Sequence, residues 1–296
     1  MSLFSTPSLE GRRVLITGGA RGIGAALAHR LHERGAHVAL LGLEPDHLAA
    51  VALDCGGAPW AECDVTDEAA VEAGVARLVD ELGGLDIVVA NAGIAAQMPM
   101  LHGDPAILRR TLDVNVMGTY LTLRAAGPHI SHRRGYALVV ASLAAAVHLP
   151  LLGAYSASKA ATEALGNTLR VELAPSGARV GVAYFAELDT DMTTRGFNTR
   201  AAEKLTGGGS LTKMTPLAVA IDALERGLAT RARRIVAPAW VGPVLPLRML
   251  AQPIMDRHVR GKVREALAIA RTERPAFTTP QPQPAAAMLE PIGRPG

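Results

Sequence analysis

The sequence predicts an α/β fold: a doubly wound parallel sheet with helices on both faces, forming one domain with a helical extension at its carboxyl end. Three observations carry that expectation. Short apolar runs alternate with longer helix-like stretches from residue 9 to residue 245, the pattern that strand–helix–strand units impose. A glycine-rich turn separates the first apolar run from the first helical stretch, where a tight strand-to-helix connection requires it. Hydrophobic residues make up 49% of the chain and aromatics only 3%, as suits a sheet of Val, Ala and Leu under Ala-rich helices.

Residues 12–17 (Arg-Arg-Val-Leu-Ile-Thr) read as a short strand. Gly18-Gly19-Ala20-Arg21-Gly22-Ile23-Gly24 follows, then a helix over 25–34 that ends at Gly35. A second strand is expected at 37–41 and an apolar stretch lies at 59–63. Further helices are expected near 67–82, 104–126, 155–174 and 215–230, and further strands near 85–90, 136–141, 178–184 and 234–237. The segment 186–213 has no clear strand and contains Gly207-Gly208-Gly209. It reads as a flap over the substrate, or otherwise as a long surface loop.

Residues 246–273 form the extension. Leu247, Leu250, Ile254, Val259, Val263, Leu267 and Ala270 recur at roughly helical spacing, with interruptions expected at Pro253 and Gly261. Arg248, Arg257, Arg260, Lys262 and Arg264 fill other positions. A helix packed on its own domain or on a sister subunit comes first, a pocket lid second and a membrane-surface helix third. Residues 1–8 read as a tail. From Arg274 to the end, Pro and Ala dominate, which predicts disorder.

Tyr155 and Lys159 stand four apart on a predicted helix, so they share one face. A phenol ordinarily titrates near about 10, and a neighbouring cation favours the phenolate. Lowering that value by roughly 2 to 3 units takes about 3 to 4 kcal/mol of differential interaction. Lys159 and a positively charged cofactor ring are the expected sources. Arginines far outnumber lysines here, yet position 159 carries the compact, tunable ammonium. Ser142 would hold the substrate oxygen while Tyr155 exchanges its proton.

The glycine turn has the context of a dinucleotide site: small residues admit a pyrophosphate, and a helix amino terminus offers unpaired N–H groups. Gly18, Gly22 and Gly24 have gaps of four and two, unlike the commoner Gly-x-Gly-x-x-Gly fingerprint. Together, Thr-Gly-x-x-x-Gly-x-Gly at 17–24, Asn91-Ala92-Gly93, Asn115, Ser142 and Tyr155-x-x-x-Lys159 resemble the short-chain dehydrogenase/reductase family, in its shorter, dehydrogenase-type branch. The resemblance covers about residues 9–240. It implies a Rossmann-like fold and an NAD(P)-dependent oxidoreductase acting on CH–OH or C=O groups.

By that resemblance Tyr155 is the general acid or base, Lys159 lowers its pKa and grips the nicotinamide ribose, and Ser142 orients the substrate oxygen. Asn115 supports a water relay behind Lys159. Gly18, Ala20, Arg21, Gly22, Ile23 and Gly24 cradle the cofactor. Asp64 and Val65 contact adenine, although Asp64 also reads as a helix cap. Asn91, Ala92 and Gly93 line the cofactor, and Thr190 holds its carboxamide. Two departures stand out. Phe185-Ala186 replaces the family's usual Pro-Gly, which bears on the loop before Thr190, and Ala90 replaces the first Asn of Asn-Asn-Ala-Gly. The second strand ends in Gly42-Leu43-Glu44, with neither an acid at 42 nor an Arg at 43 to choose between NAD and NADP. Arg21 tips the expectation to NADP, while Glu44 is either a helix-start acid or a ribose ligand.

A net charge of +3 with pI near 9.1 is too mild and scattered to argue for nucleic acid. Cys55 and Cys63 are the only cysteines, too few for a disulfide scaffold or a zinc set. No signal pattern and no run of about 18 apolar residues appears, so a cytoplasmic protein is the default. The apolar stretch 143–152 predicts a small hydrophobic ketone or secondary alcohol as substrate. The alternatives are a non-catalytic NAD(P)-binding regulator or assembly partner, and a reductase of imines or activated double bonds. A homodimer or homotetramer is implied by the resemblance alone.

Overall fold

The computed structural model describes residues 7–190, 192–193, 199–207, 214–273, 276–279 and 281. β1 (Arg13–Thr17) leads to α1 (Gly22–Glu33), β2 (His37–Gly42) to α2 (Pro45–Asp54), and β3 (Trp60–Glu62) to α3 (Glu68–Glu81). β4 (Ile87–Ala90) is followed by α4 (Pro105–Leu112), a π-helical turn at Asp113–Met117 and α5 (Gly118–Ile130). β5 (Tyr136–Val140), α6 (Gly153–Glu172) and β6 (Arg179–Phe185) come next. Then come α7 (Arg200–Thr206), α8 (Leu217–Thr230), β7 (Arg234–Ala237), α9 (Val241–Val244) and α10 (Arg248–Ala270).

The strands pair in parallel in the order β3-β2-β1-β4-β5-β6-β7. This is the expected Rossmann-like sheet. The order reverses between β1 and β4, which opens a crevice beyond their carboxyl ends. Side chains alternate across each strand. Val14 and Ile16 therefore pack with Leu27, Leu31 and Leu224, on the α1 and α8 side. Leu15 packs with Val75, Leu78 and Leu121, on the α3 and α5 side.

Two elements depart from the sequence pattern. The helix expected at 104–126 runs on to Ile130 and is broken by the π turn. That wider turn carries Asn115 into the interior. It precedes Gly118, where a Cβ would lie 2.5 Å from Val65 Cγ2, so only glycine lets α5 close on that side chain. α10 runs unbroken through Pro253 and Gly261, where interruptions were expected. Val259 and Ala266 are buried in it, and Val263, Leu267 and Ala270 pack with Ala201 and Leu205 of α7. This packing, with Arg248 paired to Glu163 at 2.9 Å, offsets the cost of roughly 3 kcal/mol for an interior proline.

The extension thus packs on its own domain over its second half. Leu247, Leu250 and Ile254 belong to the same expected stripe but are exposed. Seven residues of α7 span only about 10 Å, against about 35 Å for α10, so α7 cannot cover them. Among the described residues, no helix is long and apolar enough to cross a membrane.

The start of β1 is fastened by a buried carboxylate. Asp86 Oδ2 accepts from Arg13 N at 3.1 Å and from Arg13 Nε at 3.2 Å. Burial alone would raise the Asp86 pKa, but the Arg13 hydrogen bonds outweigh it and hold the group below the usual carboxylate range. A depressed folded value contributes stability that is present above the unfolded pKa of about 3.9 and is lost as pH falls through the folded value. Asp86→Asn is expected to cost about 1–3 kcal/mol at neutral pH. In urea melts taken from about pH 5 downward, it should also reduce the loss of stability on acidification. An unchanged acid slope would contradict this assignment.

Candidate active site

The site lies where the carboxyl ends of β1, β4, β5 and β6 meet, around a cavity of about 590 Å³. The turn after β1 needs its glycines for different reasons. Gly18 and Gly22 have φ of +67° and +53°, in the left-handed region. At Gly24 a Cβ would fall 2.1 Å from Gly18 O, so a side chain there would push the turn apart. Gly18, Ala20, Arg21, Gly22 and Ile23 line the cavity, while Gly24 lies beneath the turn. α1 opens at Gly22 without a side-chain cap, leaving first-turn amides for a ligand.

Thr17 and Asn91 join the ends of β1 and β4. Thr17 Oγ1 accepts from Asn91 N at 3.1 Å and Ala92 N at 3.2 Å, and Asn91 Nδ2 donates to Thr17 O at 3.0 Å. Asn91, Ala92 and Gly93 consequently line the cavity opposite the glycine turn.

α6 places Tyr155 and Lys159 one turn apart, with Lys159 Nζ 5.7 Å from the Tyr155 ring centroid. Both are buried, and both line the cavity with Ser142. Lys159 Nζ donates to Val140 O at 2.9 Å. Tyr155 and Ser142 share a hydrogen bond. Ser142 stands just past β5, its Oγ accepting from Ala144 N at 3.1 Å. The expected lowering of the Tyr155 pKa is not produced by the chain's own groups. Burial pushes Tyr155 above the ordinary phenol value, and the Ser142 hydrogen bond pulls it only part of the way back. Burial also brings the Lys159 ammonium down to about 8. Removal from water penalises both charged forms at once.

Asn115 does not line the cavity. Its Oδ1 accepts from Ile94 N at 2.8 Å, and its Nδ2 donates to Ile94 O at 2.9 Å and Ser158 Oγ at 2.9 Å. The side chain therefore pins the loop after β4 to α6. A Cβ on Gly93 would lie 3.3 Å from Asn115 Oδ1 and 3.4 Å from Lys159 Nζ, so the backbone there passes close to the amine.

Asp64 and Val65 line the far end of the cavity. Asp64 Oδ1 accepts from Thr66 N and Thr66 Oγ1, and Oδ2 accepts from Arg110 Nη2 at 2.8 Å. Burial raises the Asp64 pKa, but the bonds from Arg110 and Thr66 outweigh it and leave a net lowering. The helix-cap alternative for Asp64 is not what the chain adopts: α3 is capped by Asp67, whose side chain accepts from Ala70 N. Glu44 precedes α2 without capping it and turns to Arg21, whose Nε reaches both carboxylate oxygens at 2.8 and 2.9 Å.

Phe185 ends β6 and Ala186 opens the loop that follows. Ala186 N donates to Ala237 O, and Leu188 bridges to Thr215, with Asp189 N donating to Thr215 O at 2.9 Å. Thr190 lines the cavity, its Oγ1 3.3 Å from Thr193 Oγ1. Much of the expected flap, at 191, 194–198 and 208–213, lies outside the described residues. Its described part includes α7, which brings Leu205 to the cavity. Sequence reasoning missed Arg110, Gln97, Met214, Met255 and Thr278 as lining residues. Met255 and Val259 stand four apart on α10, a spacing visible in the sequence, whereas Arg110 carries no motif.

The pattern described as short chain dehydrogenase matches residues 12–201, more than half of the chain. Cis-4-hydroxycyclohexanecarboxylate dehydrogenase of Sinomonas cyclohexanicum is 39% identical over 186 residues, covering 61% of this chain and 75% of that protein. Glycine betaine reductase of Emericella nidulans is 36% identical over 201 residues, covering 66% of this chain but only 16% of that much longer protein. A solved short-chain type dehydrogenase/reductase from Mycobacterium marinum superposes with a TM-score of 0.68 at 30% identity, covering 77% of this chain and 94% of that one.

The pKa of Lys159 yields a stability prediction. An amine at about 8 when folded and about 10.4 when unfolded binds more protons in the unfolded chain between those values, so stability rises with pH across that window. Lys159→Met should be more stable than the parent at neutral pH by about 1–2 kcal/mol, with the gap narrowing as pH climbs through the window. Paired urea melts across that range check it, and a constant gap would refute it.

Proposed function

The chain belongs to the short-chain dehydrogenase family, and from that premise we propose that it transfers a hydride between NAD(P) and a hydrophobic ketone or secondary alcohol. The observation that carries the proposal is the buried group of Ser142, Tyr155 and Lys159, which lines one cavity with the glycine turn. The close packing at Gly18 and Gly24, with an uncapped helix start beside them, fits a pyrophosphate. Gly18, Ala20, Arg21, Gly22 and Ile23 would hold it, with Gly24 supporting the turn. Asp64 and Val65 would meet adenine, and Asn91, Ala92, Gly93 and Thr190 would line the nicotinamide half. The cofactor would supply the hydride in reduction and accept it in oxidation, and its oxidised ring would be positive.

The chain's own residues do the rest. Ser142 orients the substrate oxygen. Tyr155 gives that oxygen a proton in reduction and takes it in oxidation. A value near 8 leaves most Lys159 protonated at neutral pH, and its charge favours the Tyr155 phenolate against the burial that opposes it. Asn115 holds the Ile94 backbone, next to the Gly93 that lies beside the amine, and a water relay behind Lys159 belongs to the same reading. A homodimer or homotetramer does too, supported by partly exposed Met117 and Tyr120 on the π turn and α5 and by exposed Val171 on α6.

The substrate half is apolar, with Val147, Leu149, Leu205, Met214 and Met255 on its walls. Glu187 and Glu203 are also there and disfavour a carboxylate. A cyclic secondary alcohol, as in the name of the Sinomonas relative, suits these walls better than its carboxylate does. For the cofactor, Arg21 supports NADP as the sequence suggested. The second reading, NAD, is favoured by the Arg21–Glu44 pair, because a 2′-phosphate would compete with a carboxylate for that guanidinium.

Tyr155→Phe should lower turnover by about 10²–10⁴-fold while leaving NADH or NADPH affinity within about threefold. Cofactor absorbance with a panel of cyclic and long-chain ketones and alcohols, together with fluorescence titration, reads both. Turnover confined to small charged hydroxy acids, or indifferent to the tyrosine, would defeat the proposal. Glu44→Gln removes the competing charge and should shift the NADPH-to-NADH affinity ratio toward NADPH by about tenfold. An unmoved ratio would take Arg21 and Glu44 out of cofactor selection.

A further inference from the structure

The segment after α10 does not simply leave the domain. Glu273 turns back and accepts from Arg200 N at 2.9 Å and Ala201 N at 3.2 Å, closing the start of α7. Phe277 packs against the core on the α3 and α5 side. Thr278 is buried and engages one residue from both sides: its N donates to Ala95 O at 3.1 Å, and its Oγ1 accepts from Ala95 N at 3.1 Å. Ala95 lies just past Asn91-Ala92-Gly93. Gln281 Oε1 then accepts from Arg110 Nε at 2.9 Å, on the same guanidinium that holds Asp64. The tail expected to be disordered from Arg274 is therefore docked at 276–279 and 281, while 282–296 lie outside the described residues.

These contacts run from the loop after β4, at one end of the crevice, to Asp64 at the other. Thr278, Thr279 and Gln281 line the same cavity as the glycine turn, so the tail borders that space and does not fill it. We infer that residues 276–279 and 281 form a clasp along the open side of the dinucleotide groove, walling in a bound cofactor and slowing its release. The inference rests on the NAD(P) reading above. Ordering each residue costs backbone entropy, against one half-buried phenylalanine and a few hydrogen bonds. Such a segment opens at low cost, as cofactor exchange requires.

The test compares the full chain with one ending at Glu273, which keeps α10 and the α7 cap. NADH and NADPH are titrated by fluorescence, and release is followed by stopped flow. The shortened chain should bind the preferred cofactor about tenfold more weakly, with release faster by a similar factor. Equal affinity and release would overturn the clasp, and tighter binding by the shortened chain would show that the tail obstructs the groove. Thr278→Val in the full chain removes the acceptor for Ala95 N and should speed release several-fold; it decides the matter if the shortened chain fails to fold. Should the full chain bind neither cofactor, the oxidoreductase reading falls and the clasp with it. Binding that is indifferent to both changes sinks the clasp alone.

Discussion

An amine kept out of water is the constraint on which this molecule is organised. Lys159 is buried on α6, gives one hydrogen bond to the Val140 carbonyl and lies against the Gly93 backbone. Burial lowers its pKa to about 8. The sheet supplies the carbonyl at the end of β5, the β4 loop supplies the close backbone, and Asn115 fixes that loop. Burying a charge without a counter-charge costs stability. In the proposed function the return is a cation beside Tyr155.

Most of the fold was legible because its causes are local. Alternating apolar runs, glycine turns and four-residue spacings are sequence-near signals, and they led to the sheet, the glycine cradle and the Tyr155–Lys159 face. What stayed hidden depends on distant partners. The π turn at Asp113–Met117 is followed by Gly118, which packs on Val65, 53 residues earlier. Arg110 enters the site through Asp64, 46 residues earlier. Pro253 reads as a helix break until the packing of α10 on α7 is known. The Tyr155 pKa could be argued from its lysine neighbour, but not the extent of burial that opposes it.

The sequence also divides its labour unevenly between the halves of the crevice. The end at the glycine turn is built from backbone and small residues, with little room for variation at Gly18, Gly24 or Gly93. The other end is walled by Leu and Met side chains, among them Leu149 after β5, Leu205 of α7, Met214 and Met255 of α10. Methionine adapts its shape readily, and such walls accommodate differing apolar surfaces. Arg21 and Glu44 stand at the rim of the first half, paired with each other.

Ile94 and Ala95 show what this design means for a newborn chain. Ile94 is held by Asn115, 21 residues away, but Ala95 meets Thr278, 183 residues further on. Links across so much chain form late, because a long loop must close first. The sheet needs only residues 13–237, whereas the link to Ala95 waits for a segment made some forty residues later. The nascent domain is thus complete as a fold before it is complete as a container.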